Sequence, residues 1–129
     1  MEFYQKLFSL QQEIEAISKE SKNPFFKSNY ADINQLLKHL KPLLKKYKLV
    51  IIQPIEQHEV YAIIQDVESK EKIFSSIKLP DTNDPQKIGS AITYYRRYNV
   101  ISLLGLECED DDGNIASNRK VNNKNQYKF

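Results

Sequence analysis

Residues 49–79 read LVIIQPIEQHEVYAIIQDVESKEKIFSSIKL and contain the strand signals of this chain. Three short segments rich in β-branched residues alternate with polar segments of hairpin length, which is typical of antiparallel strands. We predict a three-stranded β-meander with strands at Leu49–Ile55, Val60–Val67 and Ile73–Leu79. Successive side chains of a strand point to opposite faces. In the third strand one face holds Ile73, Ser75, Ile77 and Leu79, and the other holds Lys72, Phe74, Ser76 and Lys78.

Helical spacing of apolar residues predicts helices on both sides of the meander. Upstream, residues 2–20 and 31–47 each have apolar positions at steps of three and four, and Pro42 is expected to kink the second helix or to split it in two. Downstream, Asp84 and Pro85 form a good N-cap and first-turn pair, and Gly105 can end the helix that follows. We therefore predict an α+β fold in which this long helix, Pro85–Leu104, packs on the sheet.

Length and composition indicate one globular domain. The chain has 129 residues, of which 40% are hydrophobic and 28% charged, and its formal net charge is +2. These values fit a domain with a hydrophobic core and exclude a strongly basic, histone-like protein. We assign residues 1–112 to the domain, and residues 113–129, which are rich in Asn, Lys and Ser, to a flexible polar tail.

Several classes of function are disfavoured by what the sequence lacks. A single cysteine, Cys108, excludes an intrachain disulfide framework and a Cys-based zinc site, and His39 and His58 are isolated from each other. No nucleophile has a base at a telling spacing, and no Gly-rich phosphate loop occurs. We expect neither a metal nor a cofactor, and we expect no enzyme activity. The absence of a long apolar run and of a signal peptide favours a reducing, cytoplasmic location without membrane contact.

The helix Pro85–Leu104 is the most informative element for function. At 100° per residue, the side predicted to pack on the sheet contains Ile88, Ala91, Ile92, Tyr95 and Tyr98. The opposite side contains Gln86, Ser90, Thr93 and Arg97, with Gly89 and Arg96 beside them. Arginine and small hydroxyl side chains suit a sugar–phosphate chain. The alternative is an exposed helix face whose arginines pair with nearby carboxylates.

Aromatic residues lie next to the cations in two places. Tyr94 adjoins Arg96 and Arg97, and stacking of bases on rings beside cations is typical of single-stranded nucleic-acid binding. Lys27 follows Phe25 and Phe26, so it is a second candidate for a phosphate contact. The alternatives are that the tyrosines of the helix belong to the core and that the phenylalanines cover its edge.

The acidic run Glu107–Asp112 leaves three interpretations open. A metal-dependent nuclease would need carboxylates that converge on cations, and neighbouring side chains of one run diverge. A salt-bridge partner between subunits, or an acidic cap that repels DNA from one surface, agrees better with consecutive acids.

Five blocks of the sequence together resemble a known family. The blocks are Asn23–Ile33 (NPFFKSNYADI), Leu43–Leu49 (LLKKYKL), Gln86–Tyr98 (QKIGSAITYYRRY), Leu104–Leu106 and Asp110–Gly113. The chain resembles the Erf (essential recombination function) superfamily of single-strand annealing proteins, which are typically encoded by phages. The resemblance covers residues 2–113. One departure is Lys48, where the pattern commonly has Gly before the first strand.

The resemblance implies a Rad52-like core that assembles into rings or helical filaments in the bacterial cytoplasm. It implies ATP-independent annealing of complementary DNA strands during phage-type recombination, with single-stranded DNA as partner and a single-strand-binding protein as a further candidate. The candidate DNA-binding residues come from the motifs, with one addition from the strand pattern. The motif positions give Lys27, Tyr30, Ser90, Thr93, Tyr94, Arg96 and Arg97, and the strand pattern gives Lys78.

Two other functions remain as alternatives. One is an interaction module that caps or inhibits a related recombinase and does not itself anneal DNA. The other, less favoured, is the metal-dependent nuclease.

Overall fold

The computed structural model describes residues 1–18 and 33–106, and it confirms the α+β fold. Two helices, α1 (Phe3–Ser18) and α2 (Ile33–Lys46), precede the sheet. Four strands follow, namely β1 (Leu49–Ile52), β2 (Ile55–Glu56), β3 (Glu59–Asp66) and β4 (Lys72–Lys78). The helix α3 (Pro85–Leu104) comes last and has the bounds that the sequence predicts.

The sheet is antiparallel, and β3 is its central strand. β4 pairs along one edge of β3, and both β1 and β2 pair along the other. The predicted first strand is therefore interrupted at Gln53 and Pro54, so the sheet has four strands where three were predicted. Proline has no N–H to donate to a sheet ladder and is confined to strand ends, edges and bulges. The carbonyl of Pro54 still accepts a hydrogen bond of 2.9 Å from the N–H of Tyr61.

Lys48 occupies the turn between α2 and β1. Its φ is 57°, in the left-handed region that glycine favours, and its N–H donates to the carbonyl of Lys45 at 3.1 Å. A residue with a Cβ adopts this conformation at a cost of roughly 1–2 kcal/mol. The departure from the family pattern therefore leaves the turn intact.

The core lies between the helices and one face of the sheet. α2 is a single helix with Pro42 inside it, so of the two predicted effects of this proline, a kink or a split, the split does not occur. The buried residues of the central cluster come from all three helices and from β1 and β3. They include Phe3, Leu10, Ile14, Leu36, Leu40, Leu44, Leu49, Ala62, Ile64, Val100 and Leu104.

A buried ion pair fixes α1 to the end of β3. The ammonium of Lys6 lies 2.8 Å from the carboxylate of Asp66 and 2.8 Å from that of Glu68. The side chains of Lys6 and Asp66 are almost fully buried, whereas Glu68 is exposed. The hydrogen bond from Lys6, supported by one from the N–H of Glu68, lowers the pKa of Asp66 to about 2.

A buried asparagine fixes α3 to the sheet. The Asn99 amide donates to the carbonyl of Val60 at 2.9 Å, and its oxygen accepts from the hydroxyl of Ser75 at 2.9 Å. α3 thus contacts β3 and β4 through a polar residue. The predicted contact residues, from Ile88 to Tyr98, are only half-buried, and the fully buried positions lie further along the helix at Asn99, Val100 and Leu104. Asn99 follows Tyr95 by four residues and Ile92 by seven, so it lies on the side of α3 that was predicted to pack on the sheet.

We predict that the ion pair makes stability depend on acid pH. Because the pKa of Asp66 is about 2 in the folded chain and about 3.9 when unfolded, its stabilisation is complete above the unfolded value and lost as the pH falls toward 2. Asp66→Asn should lower the thermal unfolding midpoint at pH 7. The difference from wild type should shrink between about pH 4 and 2, as followed by circular dichroism. Asp81→Asn, at an exposed site, is the matched control, and an equal difference at both ends of the pH range would contradict the prediction.

We also predict that Asn99→Ala lowers the free energy of unfolding by about 1–3 kcal/mol, because it leaves buried polar partners without hydrogen bonds. Urea denaturation measures the change. Ser102→Ala, at an exposed position of the same helix, should stay within about 0.5 kcal/mol of wild type. Equal stability of the two variants would show that Asn99 does not fix the helix.

Candidate nucleic-acid interface

All the charged side chains of α3 are positive. Its 20 residues include Lys87, Arg96 and Arg97 and contain neither Asp nor Glu. Asp84, immediately before the helix, caps it by accepting the N–H of Gln86 at 3.0 Å. The residues of the helix therefore include three positive charges and no negative one, which favours contact with a polyanion.

The N-terminal half of α3 is the exposed half. Its exposed side chains are Gln86, Lys87, Ser90, Thr93 and Tyr94, which we call the α3 surface. At the other end, Val100 and Leu104 are buried in the core, and the side chain of Gln11 in α1 donates to the carbonyl of Leu104 at 2.7 Å. The other two helices thus cover the C-terminal half, which leaves the first turns of α3 accessible.

The α3 surface is open to close approach. Apart from the backbone of its own helical turn, no atom of the described residues lies within 4 Å of where a Cβ on Gly89 would be. The hydroxyl of Thr93 donates back to the carbonyl of Gly89 at 3.3 Å, so its lone pairs remain available to a donor. A ligand can therefore reach the helix backbone at Gly89, beside the hydroxyl side chains of Ser90 and Thr93.

Three tyrosines form a cluster beside this surface. Tyr94 is 53% exposed, and its ring centroid lies 4.5 Å from that of Tyr98 and 6.0 Å from that of Tyr95. Tyr95 and Tyr98 are half-buried. Tyr94 is therefore the tyrosine of the cluster whose ring is most accessible to a base.

The two arginines differ from the prediction. Arg97 is only 7% exposed, and its guanidinium lies 5.4 Å from the ring centroid of Tyr98. It precedes Val100 and Leu104 by three and seven residues, so it lies on the side of the helix that enters the core. The prediction that Arg97 continues the exposed face of Ser90 and Thr93 is therefore wrong. Its DNA contact stays a prediction, as does that of the half-buried Arg96.

Lys78 is separated from the α3 surface by the sheet. It lies on the β4 face with Lys72, Phe74 and Ser76, as the alternation predicts. The other face of β4 carries Ser75, which bonds to Asn99 of α3. Lys78 therefore points away from α3, and the candidate DNA-binding residues do not form one surface within a single chain.

Some candidates lie outside the described residues. They are Lys27, Tyr30, the acidic run Glu107–Asp112 and the tail 113–129. Within residues 1–18 and 33–106, no group of three or more His, Cys, Asp or Glu side chains could hold a metal ion. In the same ranges, no helix is long and apolar enough to cross a membrane.

Lys87 is a candidate that the sequence analysis missed. It is exposed on the first turn of α3 and precedes Ser90 by three residues and Tyr94 by seven. Such spacings place side chains on one side of a helix. The spacing is visible in the sequence, but the sequence alone does not show that this side of the helix is exposed.

Comparison with known proteins confirms the resemblance. The sequence matches the family model of the ERF superfamily over residues 3–128. No curated protein and no solved structure matches it. Because the family match spans nearly the whole chain and the fold agrees with it, the chain belongs to the ERF superfamily.

Proposed function

We propose that this chain binds single-stranded DNA and anneals complementary strands without ATP, as a homo-oligomer in phage-type homologous recombination. The observation that carries the proposal is the α3 surface, on which Lys87, Ser90 and Tyr94 are exposed together on a helix without acidic residues. Membership of the ERF superfamily supports the same function.

Each kind of side chain on the α3 surface has a counterpart in a single strand. The ammonium of Lys87 attracts a phosphate as a flexible point charge. The hydroxyl of Ser90 offers both a donor and an acceptor to the sugar–phosphate chain. The exposed ring of Tyr94 offers a base a stacking partner, an interaction worth roughly 1–3 kcal/mol. None of these contacts selects a base by its edge, so the binding is independent of sequence.

Annealing by such a surface needs no bond chemistry. Phosphate contacts and stacking leave the pairing edges of the bases free to meet a second strand. Base pairing then supplies the free energy, and the protein contributes by reducing the repulsion between two polyanions. The small net charge of +2 agrees with this mechanism, because repetition of the α3 surface in an oligomer concentrates positive potential along the strand.

We predict that the protein accelerates annealing of two complementary fluorescent oligonucleotides in the absence of ATP. The rate enhancement should fall as salt is raised, because binding releases counterions from the phosphates. Self-association without any acceleration of annealing would refute the proposal and favour the capping module instead. Degradation of the oligonucleotides in magnesium would favour the nuclease.

A matched pair of lysine variants sharpens this salt experiment. Lys87→Ala should reduce the slope of log affinity against log salt by about 0.7, the value for one phosphate contact of a single strand. Lys41→Ala, at an exposed position of α2, should leave the slope unchanged. Equal slopes for both variants would exclude Lys87 as a phosphate contact.

We predict that Tyr94→Ala weakens single-strand binding by roughly tenfold, the equivalent of one lost stacking interaction. Tyr94→Phe retains the ring and should bind as wild type does. Fluorescence anisotropy with a labelled oligonucleotide measures both affinities. Equal loss in the two variants would assign the contact to the hydroxyl and contradict the stacking role.

A further inference from the structure

The outer face of the sheet exposes a continuous apolar surface. We call it the open sheet face, and it consists of Val50, Ile52, Tyr61, Ile63 and Phe74. Ile52 pairs with Ile63 in the register of β1 and β3, and Ile63 pairs with Phe74 in that of β3 and β4. The rings of Tyr61 and Phe74 lie 6.2 Å apart between centroids, so the surface extends across the three strands without a break.

This surface is poorly covered by the described part of the chain. Val50, Ile52 and Phe74 are 40%, 46% and 59% exposed. The alternate side chains of β3, including Ala62 and Ile64, belong to the core on the other face of the sheet, where α3 packs. Contiguous exposed apolar surfaces of this kind mark interaction sites.

A second apolar surface lies on α1. Met1, Tyr4 and Phe8 are 69%, 66% and 63% exposed and line an open hollow together with Gln5 and Ser9. They follow one another at steps of three and four, so they form one ridge of the helix. The buried side of α1, with Phe3 and Leu10, is part of the core. We call this ridge the outer face of α1.

We propose that the outer face of α1 in one copy of the chain docks on the open sheet face of the next copy. The inference rests on the homo-oligomer of the proposed function and names the two surfaces that build it. A contact between two different surfaces is heterologous. Each copy therefore keeps one free surface of each kind, and repetition of the contact produces a ring or a helical filament.

The two surfaces are of kinds that pack against each other. An apolar helix ridge against an apolar sheet face is an ordinary packing arrangement inside protein domains. Phe74 is the most exposed side chain of the open sheet face, and the hollow beside Tyr4 and Phe8 is the concave feature of the outer face of α1. We place the ring of Phe74 in that hollow, because buried aromatic anchors contribute strongly to interfaces.

The rims of both surfaces contain exposed charged side chains. Lys72 and Lys78 flank Phe74 on the same face of β4, and Glu2 lies next to Met1 at the start of α1. All three side chains are exposed. Opposite charges at a rim fix the register of a contact and oppose pairing of like surfaces. The two lysines therefore oppose pairing of two open sheet faces with each other, whereas the Glu2 carboxylate of α1 offers one of them a partner.

Nucleic acid is the competing occupant of the open sheet face, because an aromatic pair beside lysines resembles a stacking platform. The composition favours a protein partner. Three of the five residues are aliphatic, and the two lysines lie along one strand only. The presence of a second unpartnered apolar surface on the same chain also favours a second copy.

The test uses two variants that each spoil one surface. Phe8→Glu places a charge on the outer face of α1, and Phe74→Glu places one on the open sheet face. Both side chains are largely exposed, so the fold should persist, as circular dichroism will show. Val67→Glu, at an apolar residue that is 58% exposed in the β3–β4 turn, is the matched control. Light scattering after size exclusion, without DNA, gives the mass of each.

We expect wild type and Val67→Glu to self-associate, and each of the other variants to be monomeric, with association weakened at least roughly tenfold. An equimolar mixture of Phe8→Glu and Phe74→Glu should form a heterodimer. The first variant retains its open sheet face and the second retains its outer face of α1, so they have one complete contact between them. The heterodimer cannot grow further, because its two outer surfaces are the spoiled ones.

Three results would overturn the inference. They are a monomeric wild type, an unchanged mass in either single variant, and a mixture that remains monomeric. A Phe74→Glu variant that keeps the wild-type mass and loses single-strand binding would assign the open sheet face to nucleic acid. These masses are measured without DNA, so they test only the docking of one copy on the next. The annealing proposal is tested separately by the oligonucleotide assay.

Discussion

The hydrogen bonds of Asn99 to Val60 and Ser75 determine how α3 lies on the sheet. They hold one side of the helix against β3 and β4, and this choice of side has two consequences. The first turns of α3 project beyond the other helices with their polar side chains exposed. No helix within residues 1–18 and 33–106 covers the opposite face of the sheet. Both candidate interaction surfaces of the chain therefore follow from the position of one helix.

The buried Lys6 has a similar effect on α1. Its pairs with Asp66 and Glu68 turn one side of the helix toward the end of β3, since a buried charge is stable only next to its partners. The ridge of Tyr4 and Phe8 then points outward. An interaction inside the fold thus determines which apolar residues of α1 remain available for contact with another copy.

Local signals made much of this fold predictable, and long-range packing accounts for the differences. Asp84 and Gly105 act within one turn of the helix that they bound, so the limits of α3 could be predicted from sequence. The burial of Arg97 could not. One helix side runs from exposed Ser90 and Thr93 to buried Val100 and Leu104, and only the position of the other helices shows where exposure ends. The burial of Asn99 has no local signal either, because its partners Val60 and Ser75 lie 39 and 24 residues away in the chain.

The positions of the surfaces also allow assembly and DNA binding to coexist. The open sheet face and the α3 surface lie on opposite sides of the sheet. α1 meets α3 at the C-terminal end of α3, where the Gln11 side chain donates a hydrogen bond to the carbonyl of Leu104. The α3 surface lies on the N-terminal half of α3. Docking of α1 on a neighbouring sheet therefore uses neither the α3 surface of its own chain nor that of the next. Each added copy contributes another Lys87 and Tyr94, so affinity for a long strand grows with the assembly although each chain alone carries a small net charge.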